Sequence, residues 1–226
     1  MSRDLTRRFT AELLGSALLA TIVIGSGIAA QRLSPGDSGL QLFENAFATA
    51  LGLAVLILMF ATVSGSHFNP VVTVVDVITG GRRWSDAAAY IPAQIIGCIG
   101  GAVLANLMFG SSAVSISTKE RLEPGTFLAE IVATAGLILV IFVLARTERH
   151  AVVPWAVGAY IGAAYFFTSS TSFANPAITI GRMFSDTFAG IAPSSTPGFI
   201  IAQVIGAALG LALVVWFAPR RAPSQS

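Results

Sequence analysis

The segment FANPAITIGR, residues 173–182, decides how this chain is read. It sets an Asn-Pro pair inside an apolar run, and the nearest charge downstream, Arg182, follows Asn175 by seven residues. The pattern also stands earlier, as HFNPVVTVVD at residues 67–76, where Asp76 follows Asn69 by seven. Proline has no N–H and suits the first turn of a helix, where that donor would be unpaired anyway. Asparagine just before it is a good N-cap. Each segment therefore predicts a short helix that starts at Asn-Pro. At about ten residues, or ~15 Å, neither can cross a bilayer alone.

The surrounding sequence is that of a membrane protein. Of its 226 residues 54% are hydrophobic and 11% charged, less than half the charged share of a soluble domain. Six stretches have the length and apolarity of membrane spans: 9–31, 43–63, 85–109, 126–146, 152–169 and 197–218. About 20 apolar residues suffice to cross ~30 Å of hydrocarbon. The first stretch is too long for the core of a signal peptide. One Asn-Pro segment falls between the second and third spans, the other between the fifth and sixth. Non-helical backbone at membrane depth is tolerated only where it is buried or lines a water-filled cavity. The two Asn-Pro pairs are thus expected at the middle of a pathway, with two positive half-helix ends facing each other.

An internal repeat fixes the architecture. YIPAQIIGCIGG (90–101) aligns with FIIAQVIGAALG (199–210), matching Gln94 to Gln203 and Gly97 to Gly206. RRFTAELLGSALL (7–19) resembles PGTFLAEIVATAG (124–136), which sets Glu12 opposite Glu130. The halves, about 1–115 and 116–226, each hold three spans and one half-helix. Three is odd, so the halves insert with opposite orientation, as an inverted repeat. The fold class is an all-α membrane protein with six transmembrane helices and two re-entrant half-helices, one channel-like domain over residues 1–226.

Charge gives the topology. With the N-terminus in the cytoplasm, the inner segments carry Arg3, Arg7, Arg8, Arg82, Arg83, Arg146, Arg149, Arg220 and Arg221. The outer ones carry Arg32, Lys119, Arg121 and Arg182. Nine against four places both termini inside a plasma or inner membrane. The basic pI near 9.1 follows from that asymmetry and calls for no nucleic acid. Cys98, the sole cysteine, lies within a span and permits no intrachain disulfide. No Gly-rich phosphate loop and no His/Cys/Asp cluster at metal spacing is present, so neither an enzyme nor a cofactor or metal site is expected.

These motifs carry a resemblance. TAELLGS, SGSHFNPVVT, AQIIG, FANPAIT and AQVIG are similar to the signature of the major intrinsic protein family, the aquaporins and aquaglyceroporins, over essentially the whole chain. The resemblance implies one pore per subunit, usually in a homotetramer, with Asn69, Pro70, Val71, Asn175, Pro176 and Ala177 at its centre. Two departures stand out. Val71 takes the usual alanine position, and Ile178 stands where the family normally has an arginine three residues after the second Asn, a feature of its arginine-lacking bacterial members. Carried over by spacing, the other selectivity-filter positions fall on Thr49, on Ala163 or Gly162, and on Ser172 or Phe173. The implied ring is wide, small or aliphatic and uncharged, open to water, glycerol, urea and neutral metalloid hydroxides such as arsenous acid.

Five ionisable groups remain. Arg182, one turn beyond Ile178 and about 6 Å further out, is expected in the vestibule or at headgroup level rather than in the gate. Asp76 is expected to pair with Arg82 or Arg83 at a helix end. His67 either lines the cytoplasmic side of the pore or braces its loop. Charges inside spans suggest function by default, so Glu12 and Glu130 leave a second reading open, a proton-coupled carrier of a small solute. Resemblance to the family implies instead that they hydrogen-bond the backbone leading into the half-helices. Gly97, Gly101, Gly206 and Gly210 match close helix packing in lipid.

Overall fold

The computed structural model describes residues 3–218; Arg220 and Arg221 of the topological count lie outside that range. Among the described residues the regular structure is all helix, with α1 (Arg3–Leu33), α2 (Ser38–Phe60), α3 (Pro70–Ile78), α4 (Trp84–Met108), α5 (Pro124–Arg146), α6 (Val153–Phe167), α7 (Pro176–Arg182) and α8 (Thr196–Phe217). Five of these are long and apolar enough to cross a membrane. The sixth, α6, is 15 residues long, about 22 Å, and the turn at 150–152 and the extended Thr168 complete its passage. Both short helices start at Asn-Pro. Asn69 caps α3 and Asn175 caps α7, each with extended backbone and proline in the first turn.

The repeat is visible in the packing. α1 lies on α4 as α5 lies on α8, and the same glycines permit both contacts. A Cβ at Gly206 would stand 2.5 Å from the Ile131 carbonyl oxygen, and one at Gly210 2.6 Å from that of Ala135. In the first half Gly97 and Gly101 meet the carbonyls of Leu13 and Ala17 in the same way, closer still. Any side chain there would force the helices apart. Hydrophobic burial does not hold helices together in lipid, so this backbone-to-backbone contact supplies van der Waals attraction in its place. Thr21 adds a hydrogen bond from its hydroxyl to the Gly101 carbonyl, 3.1 Å.

Outward-facing side chains are the large apolar ones, including Leu51, Val55, Leu128, Trp155, Ile201 and Trp216. The centre instead buries polar groups: Glu12, Asn45, Thr73, Gln94, Glu130, Thr179 and Gln203. An apolar exterior around a polar axis is what a bundle dissolved in lipid requires.

Candidate functional site

The two half-helices meet at their N-termini, and each asparagine does two things there. The Oδ1 of Asn69 accepts from the Val71 N–H, and that of Asn175 from the Ala177 and Ile178 N–H groups. Each amide nitrogen then donates across the repeat, Asn69 to the Ala174 carbonyl and Asn175 to the Phe68 carbonyl, both at 2.8 Å. One amide hydrogen per asparagine remains for the lumen that both residues line.

The approach to each half-helix is a loop forced into an unusual path. Ser66 and Phe68 in one half, and Ser172 and Ala174 in the other, have φ near +50°, a region that costs non-glycine residues about 1–2 kcal/mol each. Two buried carboxylates hold these loops. Glu12 accepts the His67 and Phe68 N–H groups at 3.0 and 2.8 Å, with the Ser64 hydroxyl and the Gln94 amide. Glu130 accepts the Phe173 and Ala174 N–H groups at 2.8 and 2.9 Å, with the Gln203 amide at 2.6 Å. Gln94 and Gln203 tie the assembly to the half-helices through Thr73 and Thr179. All these bonds leave each carboxylate pinned in a dense donor shell, a poor setting for a proton relay.

A narrow cavity of about 70 Å³ runs past the asparagines. Its wall includes Leu19, Val23, Ile57, Val72, Leu137 and Ile141, and at one end Thr49, Tyr165, Ser172, Phe173, Ile178 and Arg182. At the other end it meets a vestibule of about 830 Å³ that His67, Asp76, Arg82, Arg146 and His150 border. His67 lines both spaces. Its Nδ1 lies 3.1 Å from the Thr73 hydroxyl and its Nε2 3.5 Å from Asp76, so the side chain lines the lumen while its N–H anchors the loop on Glu12. Of the partners expected for Asp76, Arg82 acts on it through its charge while donating to the Ser64 carbonyl, the direct contact of Asp76 is with His67, and the Arg83 N–H donates to Asp86.

Two filter expectations are also corrected. Ala163 is exposed and Gly162 half-buried; both border a groove with Phe43, Phe47 and Phe166 on the outside of the bundle. Gly158 and Gly162 face Ala50 of α2, so the channel face of α6 is Val157, Ile161 and Tyr165, at intervals of four. Tyr165, 2% exposed, lies with its hydroxyl 3.2 Å from that of Thr49. The glycine pair on the α2 side was the signal that could have found it.

Arg182 is the larger correction. It is 2% exposed rather than at headgroup level, and it borders the same cavity as Thr49 and Tyr165. Its guanidinium carbon stacks 3.4 Å above the centre of the Phe173 ring, and its Nε donates to the Ala189 carbonyl. Helix side chains lean toward the N-terminus, so an arginine one turn too far out reaches back to the ring that Ile178 leaves uncharged.

Six apolar crossings in inverted repeat, with two half-helices closing on one polar axis, define a passive membrane channel. The chain belongs to the major intrinsic protein family, whose model matches residues 1–172. It is 48% identical to an aquaglyceroporin, AqpS, of Rhizobium meliloti (strain 1021) over 213 residues, covering 94% of this chain and 91% of that protein. It is 28% identical to a glycerol uptake facilitator protein of Streptococcus pneumoniae, covering 90% and 94% of the two chains. The X-ray structure of the aquaglyceroporin from Plasmodium falciparum shares the fold, with a TM-score of 0.71 at 21% identity over 95% of this chain and 96% of that one.

Proposed function

We propose that this channel passes water, glycerol-sized polyols, urea and neutral metalloid hydroxides such as arsenous acid, through one pore in each subunit of a homotetramer. It is assigned to the plasma or inner membrane, with both termini cytoplasmic. The observation that carries this reading is the composition of the lumen. Its wall offers the amides of Asn69 and Asn175 and the hydroxyls of Thr49, Tyr165 and Ser172 between long apolar stretches, and contains no carboxylate. A solute with hydroxyl groups can exchange its water for these partners one at a time. The names of the two bacterial relatives support the same solute class.

Cations are excluded by the centre, where two half-helix N-termini and two asparagine amides raise the energy of any positive charge. Arg182 adds a second barrier at the outer ring. The selectivity ring is Thr49, Tyr165, Ser172, Phe173, Ile178 and Arg182, and Gly162 and Ala163 have no place in it. Glu12 and Glu130 act as loop braces, and the coupled-carrier reading is not supported. Stopped-flow measurements on proteoliposomes, comparing water, glycerol, urea and arsenous acid, test the assignment. Conduction should show a low activation energy and indifference to an imposed proton gradient. Saturable flux that follows the proton gradient would overturn it.

A further inference from the structure

The outer mouth holds a cluster of cations that neutral-solute conduction does not require. Three consecutive carbonyls bracket it. Phe188 accepts from the Lys119 ammonium at 3.1 Å and the Arg121 Nη2 at 2.8 Å, Ala189 from the Arg182 Nε, and Gly190 from the Arg121 Nε at 2.6 Å. Both guanidiniums approach one aromatic ring: Arg182 at 3.4 Å and Arg121 at 5.4 Å from the centre of Phe173. Among the described residues no carboxylate lies within ion-pair distance of any of the three. The nearby acids are engaged elsewhere, Asp186 by Thr118, Glu120 by Ser194 and Ser195, and Glu130, whose charge reaches both guanidiniums without pairing with either, by the Phe173 and Ala174 N–H groups.

Arg182 is the member that faces the lumen. Its Nε is satisfied, but its two terminal nitrogens meet no protein acceptor among the described residues, although the side chain is almost wholly buried and borders the channel. Burying a charge without a counter-charge is costly, and a planar fork of free N–H donors matches the two oxygens of a carboxylate.

We propose that this fork is a docking site for a small monovalent oxyanion of carboxylate geometry, which enters from outside and plugs the pore. The proposal rests on the channel reading above. Such an anion would face Arg182 directly and feel the charge of Arg121 behind Phe173, with the Tyr165 and Thr49 hydroxyls within the same ring. Passage further along is opposed by apolar wall residues such as Leu19, Val23 and Leu53, where a dehydrated anion finds few donors. Binding is therefore block rather than transport.

The test is water flux into proteoliposomes by stopped-flow light scattering, with external formate replacing gluconate at constant ionic strength and pH. Formate should inhibit saturably, and gluconate, too broad for the ring, should not. Arg182→Gln should abolish the inhibition. If that variant does not assemble, Arg182→Lys decides, because it keeps the charge but loses the planar fork. Its half-inhibitory formate concentration should rise about tenfold, as the loss of one charge-assisted hydrogen bond implies. Water flux unaffected by formate, inhibition unchanged in either variant, or a formate current through the wild type would each overturn the plug. A wild type that conducts no water at all would overturn the channel reading instead.

Discussion

Replacing Glu130 by alanine tests how the pore is held open. The carboxylate accepts from two buried backbone N–H groups, those of Phe173 and Ala174, and from Gln203. Gln203 keeps its bond to Thr179, but the two N–H groups lose the acceptor they use. Each buried donor left unpaired costs about 1–3 kcal/mol, so the direct loss is about 2–6 kcal/mol. The flanking Ser172 and Ala174 remain at φ +51° and +47°, a path that costs about 1–2 kcal/mol per residue and is no longer enforced. Set against a typical total of about 5–15 kcal/mol, this is enough for the loop to abandon its path and take Ser172 and Phe173 out of the filter. In detergent the unfolding midpoint should fall by about 4–24 °C, at about 2–4 °C per kcal/mol, and glycerol flux should collapse in proteoliposomes. Glu130→Gln keeps the shape and one acceptor oxygen, so it should lie between the two. An alanine variant with an unchanged midpoint and unchanged flux would refute the bracing argument. A variant with normal stability that loses only a response to proton gradients would favour a proton relay.

Four shorter predictions follow from the same geometry. Tyr165→Ala should raise the ratio of glycerol to water flux about threefold or more, a barrier change of ~0.7 kcal/mol, while Ala163→Leu, in the outer groove, should leave it unchanged. Ile178→Arg places a second guanidinium beside Arg182 and should reduce glycerol and arsenous acid flux tenfold or more, at least ~1.4 kcal/mol. Gly101→Val would drive a side chain into the Ala17 carbonyl and part α1 from α4, which should be read as loss of folded protein by size-exclusion chromatography, with Gly210→Val doing the same between α5 and α8. Burial, with Arg121 and then Arg182 nearby, lowers the Lys119 ammonium to about 8. The mouth therefore loses one cation as external pH rises through that value, and formate, anionic throughout, should inhibit more weakly at pH ~9 than at pH ~6.

The features legible in the sequence are those written twice and enforced locally. Asn-Pro specifies a cap and a first turn with no help from tertiary structure, so the starts of the half-helices are legible to the residue, whereas α7 ends at Arg182, short of the ten residues expected. Glu12 and Glu130, Gln94 and Gln203, and the glycine pairs each have a repeat partner, and the structure joins each set in matching contacts. The filter was harder to read because it depends on lengths and side-chain reach. Spacing through SSTSFAN points to Ala163 or Gly162, whereas α6 runs to Phe167 and turns Tyr165 to the lumen. For Arg182 the spacing gives the position of the Cα, which is not the position of the charge. The long side chain leans back along the helix, and only the contacts with Phe173 and Ala189 reveal where the guanidinium rests.

The crossed bonds from Asn69 to Ala174 and from Asn175 to Phe68 also bear on how this machine can move. A transporter that alternates access rocks one half against the other about the substrate, and so needs a seam that opens. Here the seam is stitched at its midpoint by two reciprocal bonds, each between a side chain of one half and the backbone of the other, and each asparagine is also locked to its own helix cap. The hinge line that rocking would use is thus held by two crossed bonds and two caps at once. A solute therefore moves through a fixed frame, and the free energy of its own gradient is the only drive available to it.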